Sequence, residues 1–409
     1  MKKNSKIEIY LHSLRNNEFL DNYLNLLFSV NNLNYCFTVT PLKFVQLKKR
    51  LGFLFKPIYA VLILLLPLLV IISNGVRAMR IIFRKLFIIG DNNVGKVYDM
   101  RHLICLTQLT IIKTNERIKF FPDAFFLIPP LGRIDANIKN ANYIMAESLI
   151  DYKGVVRNFM NVLLLSYYVC LEFKYRNLFY LLNALDWLIL HDVLRDSISK
   201  NTELVFSNQK DRWAVLYDNC IQRKKTLVQH GTNIFRIKPH NSVKQFFLNV
   251  EDSESWVFDM PYKYKGINKA VSFSKRESEH LIVSEFDCVP EIVYMGFNLI
   301  SLTKYKSDLI VVLIVGNSNA YSIEEAYLIE NLDQNRFEIL LKPHPSTTHE
   351  SYSYAIGKAK IIDFLPEVDF IVGYSSTLMY EYEELGVKTL FYRDLDTTKA
   401  VLDKLNKIQ

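Results

Sequence analysis

The sequence predicts an α/β chain of two doubly wound domains facing a cleft, with a helical, apolar and basic insertion in the first domain. Three observations carry this expectation. From about residue 200 onward, short and continuously apolar runs alternate with helix-length segments, as in parallel strands covered on both faces. The alternation pauses over residues 296–307 and then restarts cleanly. The length of 409 residues suits two large domains of roughly 100–200 residues, or two plus an insertion. The boundaries fall at 1–300 and 301–409, with the insertion at about 41–90.

Taken in order, residues 6–11 (Lys-Ile-Glu-Ile-Tyr-Leu) read as a first strand. Residues 100–200 are rich in Leu, Tyr, Phe and Asn and read mainly as helices. The most apolar of these, 156–173 and 177–190, contain Arg157, Glu172 and Asp186 and so read as buried helices rather than membrane spans. Strands follow at 203–207, 226–229, 255–258, 270–273 and 291–294, with a helix at 211–217 and another capped by Ser274. In the second domain strands are expected at 309–315, 337–341, 359–362, 369–372 and 388–391. Helices are expected at 322–332, 375–385 and 397–405, the last capped by the Asp394-Leu-Asp396 segment.

Composition excludes several classes. With 50% hydrophobic and 22% charged residues the chain is not disordered, and 13 Gly with 12 Pro exclude collagen-like or linker-like sequence. Cys36, Cys105, Cys170, Cys220 and Cys288 stand singly, without zinc spacing or a disulfide framework, which suits a reducing compartment. The net charge of +8 is concentrated: residues 1–100 hold 14 Lys/Arg and 5 Asp/Glu, and none of those acids lies between Asp21 and Asp91. Inside that basic block, residues 57–72 form a run of 16 uncharged, almost wholly apolar residues broken by Pro67. Spanning helices need about 20 such residues, so three readings compete: a kinked helix or hairpin dipping into one leaflet, a buried core helix, and a true span. The run starts too late for an ordinary signal peptide, and no export is expected. Arg77, Arg80 and Arg84 recur at helical spacing among Ile and Phe, as guanidinium groups among lipid phosphates would. So apolar a neighbourhood argues against nucleic acid as the partner of the block.

Four polar loops directly follow expected strands. Gln229-His230-Gly231-Thr232 places an imidazole beside a glycine; histidine titrates near neutrality and can take a proton from an acceptor hydroxyl. Lys342-Pro343-His344-Pro345 is a stiff basic loop able to hold a diphosphate, or merely a rigid connection. Gly373-Tyr374-Ser375-Ser376-Thr377 opens a helix, where amides and hydroxyls make an anion site or simply cap; Glu381 follows within the helix. Gly316-Asn317-Ser318 can touch phosphate or base, without being a GxGxxG or Walker pattern. Arg212 can contact an anionic acceptor or serve a salt bridge. No Asp-x-Asp motif stands at a strand end, so phosphate handling without a metal is expected, with no cofactor.

The Gln-His-Gly-Thr, Lys-Pro-His-Pro and Ser-Ser-Thr-x-x-x-Glu motifs occur in the same order in bacterial GT-B glycosyltransferases, which the chain resembles over about residues 200–395. The likeness is to capsule, teichoic acid and O-antigen enzymes, including CDP-glycerol glycerophosphotransferases and polysialyltransferases. The resemblance implies two Rossmann-like domains, an acceptor-side domain over 1–300 and a nucleotide-donor domain over 301–409. It implies His230 as catalytic base, with Gln229, Gly231, Thr232 and Arg212 on the acceptor side. Lys342, His344, Ser375, Ser376, Thr377, Gly316 and Ser318 would hold donor phosphate, and Glu381 the ribose. The implied partners are a nucleotide-sugar or CDP-polyol donor, a lipid-linked or oligosaccharide acceptor and an anionic membrane surface at the cytoplasmic face of the inner membrane. Two alternatives stay open: a nucleotide-sugar 2-epimerase of the same fold, and a non-catalytic membrane-docked scaffold in polysaccharide assembly.

Overall fold

The computed structural model describes residues 6–30, 51–89, 100–105, 121, 123–132, 142–172, 175–207, 212–220, 223–229, 235, 238–239, 241–250, 255–296, 301–316, 322–344 and 349–408. Its first sheet contains β1 (His102–Cys105), β2 (Phe125–Ile128), β3 (Tyr143–Met145), β4 (Glu203–Phe206), β5 (Lys225–Val228), β8 (Lys269–Ser272) and β9 (Glu291–Tyr294), with β6 (Phe247–Asn249) and β7 (Trp256–Phe258) pairing apart as an antiparallel hairpin. The seven sheet strands run in the order β3-β2-β1-β4-β5-β8-β9, all parallel. The second sheet contains β10 (Ile310–Val315), β11 (Phe337–Lys342), β12 (Lys360–Ile361), β13 (Phe370–Gly373) and β14 (Lys388–Phe391), in the order β12-β11-β10-β13-β14, also all parallel. Both orders start at a central strand, build outward one way and then the other. Two Rossmann-like units follow, each with a switch point, between β1 and β4 and between β10 and β13.

The second unit matches its sequence expectation nearly residue for residue. Helix α8 (Ser322–Asn331), α9 (Thr377–Glu384) and α10 (Leu395–Asn406) cover the sheet, and Asp394 caps α10 in a reciprocal box with Thr397. In the first unit α6 (Arg212–Asp218) and α7 (Lys275–Glu285) also stand where expected, and the Ser274 hydroxyl accepts from the Glu277 amide at 3.2 Å.

Other expectations are corrected. Residues 6–11 open a helix, α1 (Lys6–Val30), rather than a strand. Ile9, Tyr10, Leu11 and Leu14 are all buried, so adjacent side chains share one face, which a strand's alternation forbids and a helix allows. Residues 100–200, which read mainly as helices, also include three strands, β1 to β3; at three or four residues each, they are too short to show a period. The strand at 255–258 belongs to the hairpin, not the parallel sheet.

The apolar run forms α2 (Phe55–Leu64) and α3 (Leu66–Arg84), parted at Leu65. Pro67 sits in the first turn of α3, where its missing N–H costs no hydrogen bond. The arginine stripe is not presented to the outside as a set. Arg77 pairs with Asp186, and Arg84 Nη1 lies 2.8 Å from Glu147 Oε1; these acids are distant in sequence and so invisible to a local reading. Arg80 alone of the three is exposed. Helix α4 (Tyr152–Glu172) packs on α3, and α5 (Ala184–Asp196) is almost entirely core. The expectation of burial holds for α5, but α4 exposes Val156, Met160, Leu164, Tyr167 and Leu171 along one side.

Asp192 ties α1, α4 and α5 together. Its carboxylate receives Lys6 Nζ at 3.0 Å, Arg157 Nη2 at 3.2 Å and Asn158 Nδ2 at 2.9 Å, with His191 Nδ1 at 3.3 Å. Burial pushes its pKa up, but the bonds from His191, Lys6 and Asn158 more than offset this and hold it well below the usual carboxylate range. Replacing Asp192 by Ala leaves these cations uncompensated and is expected to cost about 3 kcal/mol or more in urea unfolding; a loss under 1 kcal/mol, on the order of an exposed pair, would contradict this. Glu324 on α8 behaves oppositely: burial raises its pKa from 4.5 to about 7, against a bond from its own amide. The folded state therefore keeps a proton that the unfolded chain releases, so stability should fall as pH rises from about 4.5 to about 7. Unfolding midpoints across that range should flatten in Glu324→Gln.

Candidate functional site

Three of the four expected loops leave the second sheet side by side. The register pairs Val315 with Lys342 on one side and with Gly373 on the other, so β10, β11 and β13 end level. Neighbouring strands lie about 4.8 Å apart, which brings Gly316, Lys342 and Gly373 to one edge. That edge spans the switch point between β10 and β13, where parallel sheets leave a crevice at their carboxyl ends.

Packing fixes the two glycines. The Gly316 amide donates to the Lys342 carbonyl at 2.9 Å. A Cβ on Gly316 would stand 2.7 Å from Tyr352 Cε1 and equally close to its hydroxyl. Tyr352 is fully buried, and its hydroxyl accepts from the His344 amide at 2.9 Å. One tyrosine thus locks the loop after β10 to the loop after β11. A Cβ on Gly373 would meet Val315 Cβ at 3.1 Å and Met379 Sδ at 3.2 Å, so this glycine lets α9 start tight against β10.

At the start of α9, Ser376 occupies the N-cap position with extended backbone (φ −141°, ψ 158°), yet its hydroxyl makes no capping bond. That hydroxyl is shielded from solvent and has no hydrogen-bond partner among the described residues. The capping expectation for Ser376 therefore fails in its side chain, leaving a hydroxyl beside the positive end of a helix dipole. Ser375 Oγ bonds the Tyr380 hydroxyl at 2.9 Å, and Thr377 is the first helical residue. Glu381 follows one turn after Thr377, on the same helix face, and is buried. Lys342 Nζ donates to the Asp363 carbonyl, so the ammonium leans toward the β12 side of the edge. Burial lowers its pKa, against the pull of Asp363.

On the first sheet the end of β5 is held by a closed network. Gln229 is completely buried; its Nε2 donates to Glu277 Oε2 at 2.7 Å, and its Oε1 accepts from Ser272 Oγ at 2.7 Å and the Phe273 amide at 3.1 Å. The side chain thus faces the core, bonded to Glu277, Ser272 and Phe273, at the end of β5. Arg212 is likewise inward, donating to Asn183 Oδ1 at 2.7 Å and the Tyr180 carbonyl at 3.3 Å. It joins α6 to the 3-10 segment Tyr175–Asn183 rather than offering its charge to a ligand. His230, Gly231, Thr232 and Ser318 lie outside the described residues.

The two strand-end regions meet through aromatic rings. Phe235, which resumes the described chain after the His230 loop, stands 6.1 Å from the ring of Tyr374 in the Ser-Ser-Thr loop. Tyr374 also bonds Tyr23 of α1, whose hydroxyl pKa burial raises. Tyr23, Phe235 and Tyr352 were not singled out in the sequence; no motif marks them, and their role comes from packing between distant segments. Among the described residues no group of three or more His, Cys, Asp or Glu could hold a metal ion.

No protein-family model matches the chain, and no curated protein matches it. Among solved structures it is similar to the wall teichoic acid polymerase TagF soaked with CDPG, at 11% identity over 78% of each chain and a TM-score of 0.33. It is similar to MurG of Acinetobacter baumannii at 10% identity, over 75% of this chain and 83% of that one, with a TM-score of 0.33. It is also similar to the calicheamicin glycosyltransferase CalG4 at 8% identity, over 72% and 79%, with a TM-score of 0.40. At these values the likeness is distant, and chemistry has to come from this chain's own residues.

The Tyr352 lock is directly testable. Tyr352→Phe removes one hydrogen bond and should cost about 1 kcal/mol of stability, whereas Gly316→Ala forces the ring aside and should cost about 1–3 kcal/mol. Denaturant unfolding of both variants measures this. Equal stability of Gly316→Ala and the parent would contradict the close approach.

Proposed function

We propose that the chain is a GT-B glycosyltransferase, or a sugar- or polyol-phosphate transferase. It would move a group from a nucleotide-activated donor to a lipid-linked or growing surface-polysaccharide acceptor at a membrane. The observation that carries this reading is the level ending of β10, β11 and β13 at a switch point, with an orphaned Ser376 hydroxyl at the start of α9. A buried hydroxyl without a partner costs roughly 1–3 kcal/mol, which a bound phosphate oxygen would offset.

In this reading the donor diphosphate lies over the mouth of β10 and β13. Ser375, Ser376, Thr377 and the first amides of α9 face its oxygens, with Lys342 adding positive charge and His344 a hydrogen-bond donor from the neighbouring loop. An ammonium has three donors, so the bond to Asp363 does not exhaust Lys342. Glu381 steadies the start of α9 or reaches the ribose. His230 takes the proton of the acceptor hydroxyl as the new bond to the donor carbon or phosphorus forms. The nucleotide phosphate leaves with the electron pair of the breaking bond. Charge growing on that leaving group is what fixed dipoles and cations stabilise best. Gln229, clamped by Glu277, sets the path of the chain into His230, a positioning role. No metal is required in this scheme.

A thermal-shift panel of CMP, CDP, UDP, GDP and ADP tests it, with and without EDTA. One nucleotide should stabilise the protein independently of EDTA, and His344→Ala and Ser376→Ala should each weaken that binding. His230→Ala should leave nucleotide binding intact while slowing transfer by about a hundredfold or more. Failure of every nucleotide to bind, or identical binding in both donor-loop variants, would overturn the reading.

A further inference from the structure

We propose that α3 and α4 together form a docking face that embeds in one leaflet of an anionic bilayer, with α4 supplying half of it. This goes beyond the segment at about 41–90 that the sequence assigned to the membrane, since it adds α4, which the sequence read as buried, and it does not depend on the transfer chemistry.

The face is built from two stripes. On α3, Leu68, Ile72, Val76, Met79 and Phe83 recur every three or four residues and are exposed, Met79 at 68%. On α4, Val156, Met160, Leu164, Tyr167 and Leu171 do the same, Met160 at 57% and Tyr167 at 60%. The helices pack side by side, with Phe159 of α4 reaching within 3.8 Å of the position a Cβ on Gly75 would take. Two such stripes on packed helices far exceed the scattered apolar residues of an ordinary surface. An open groove of about 730 Å³ runs along α3, lined by Ile72, Val76, Met79, Phe83 and Leu131, with Arg80 and Arg84 at its rim.

Charge selects the occupant. Residues 51–89 and 152–172 carry seven basic residues and a single acid, Glu172 at the end of α4. The structure consumes part of that charge internally: Arg77 and Arg84 pair with Asp186 and Glu147, and Lys85 is buried with its ammonium 3.2 Å from the Glu147 carbonyl. Lys56, Arg80 and Lys153 remain exposed, without an ion-pair partner among the described residues. An apolar face with an excess of cations at its margins fits acyl chains below anionic headgroups.

Both helices are long and apolar enough to cross a membrane by length and composition. The packing favours lying in the plane instead. The other side of α3 is fastened along its length to the 3-10 segment and α5: Ser73 Oγ donates to the Leu182 carbonyl at 2.7 Å, and Asn74 Nδ2 donates to the Leu181 carbonyl at 2.7 Å. Asn74 Oδ1 accepts from the Leu185 amide at 3.0 Å, and Arg77 and Arg84 fix the later turns. A helix sealed to a globular core on one side can offer lipid only the other.

Flotation of the full chain tests this, using vesicles of phosphatidylcholine alone and of an equimolar mixture with phosphatidylglycerol. The protein should float with the mixed vesicles and less with the neutral ones. Met160→Glu combined with Leu164→Glu places two charges on the α4 stripe and should reduce the bound fraction by about tenfold or more. Arg80→Glu should remove most of the preference for anionic vesicles. Both sites are exposed, so the thermal midpoint should stay unchanged, which separates loss of docking from loss of fold. Unchanged flotation of the α4 variant would overturn the proposal. So would a shift from dimer to monomer in that variant by light scattering, because the occupant would then be a second copy. Nucleotide binding is read separately, so either proposal can fail alone.

Discussion

The strand-end loops of two sheets keep a fixed relation only where something packs between them, and here an aromatic cluster does the holding. Tyr23 of α1 packs edge-on to Phe258 at 4.9 Å and lies 5.5 Å from Phe247 of the hairpin. Phe235 packs edge-on to the same two rings at 5.1 and 5.2 Å and then meets Tyr374. These residues join Val312, Ile314 and Val372 of the second sheet in one hydrophobic cluster. Edge-to-face pairs each add roughly 0.5–1.5 kcal/mol beyond burial, so several in sequence give a stiff joint. Its position matters as much as its strength, because it grips the loop that opens α9 and the segment just after His230.

The joint explains why α1 is long. Its first half, Ile9 to Leu14, belongs to the core of the first sheet, while Phe19, Leu20 and Tyr23 belong to the cluster around the second. One helix therefore spans both cores, and the Asp192 network anchors the end at which it begins. Within the second unit, Tyr352 performs a smaller version of the same task, fixing His344 against Gly316. Polar atoms at the proposed site are thus placed by buried aromatic residues, and such preorganisation lowers the rearrangement cost of binding.

Much of the second unit was legible in the sequence because its strands are continuous apolar runs and its helices carry caps such as Asp394. The candidate loops stood out for the same reason: a polar motif is conspicuous directly after an apolar strand. What stayed hidden depends on contacts between distant segments. Residues 6–11 alternate as a strand would, and only the burial of adjacent Tyr10 and Leu11 reveals a helix. Arg77 and Arg84 resemble a lipid-facing stripe until Asp186 and Glu147 arrive from more than sixty residues away. Gln229 and Arg212 looked available for ligand because their motifs are polar, yet Glu277 and Asn183 claim them. The charged residues in and beside α4 suggested burial, yet Val156, Met160, Leu164, Tyr167 and Leu171 form an open apolar stripe along it.

The central claim is that nucleotide phosphate binds where β10, β11 and β13 end, at the start of α9. Amide hydrogen exchange with and without the nucleotide that binds tests this most directly, since a bound phosphate must protect the amides it engages. The account predicts slowed exchange in peptides covering residues 342–344 and 373–380, with the first sheet little changed. Protection confined to the first sheet, or none at the start of α9, would contradict it.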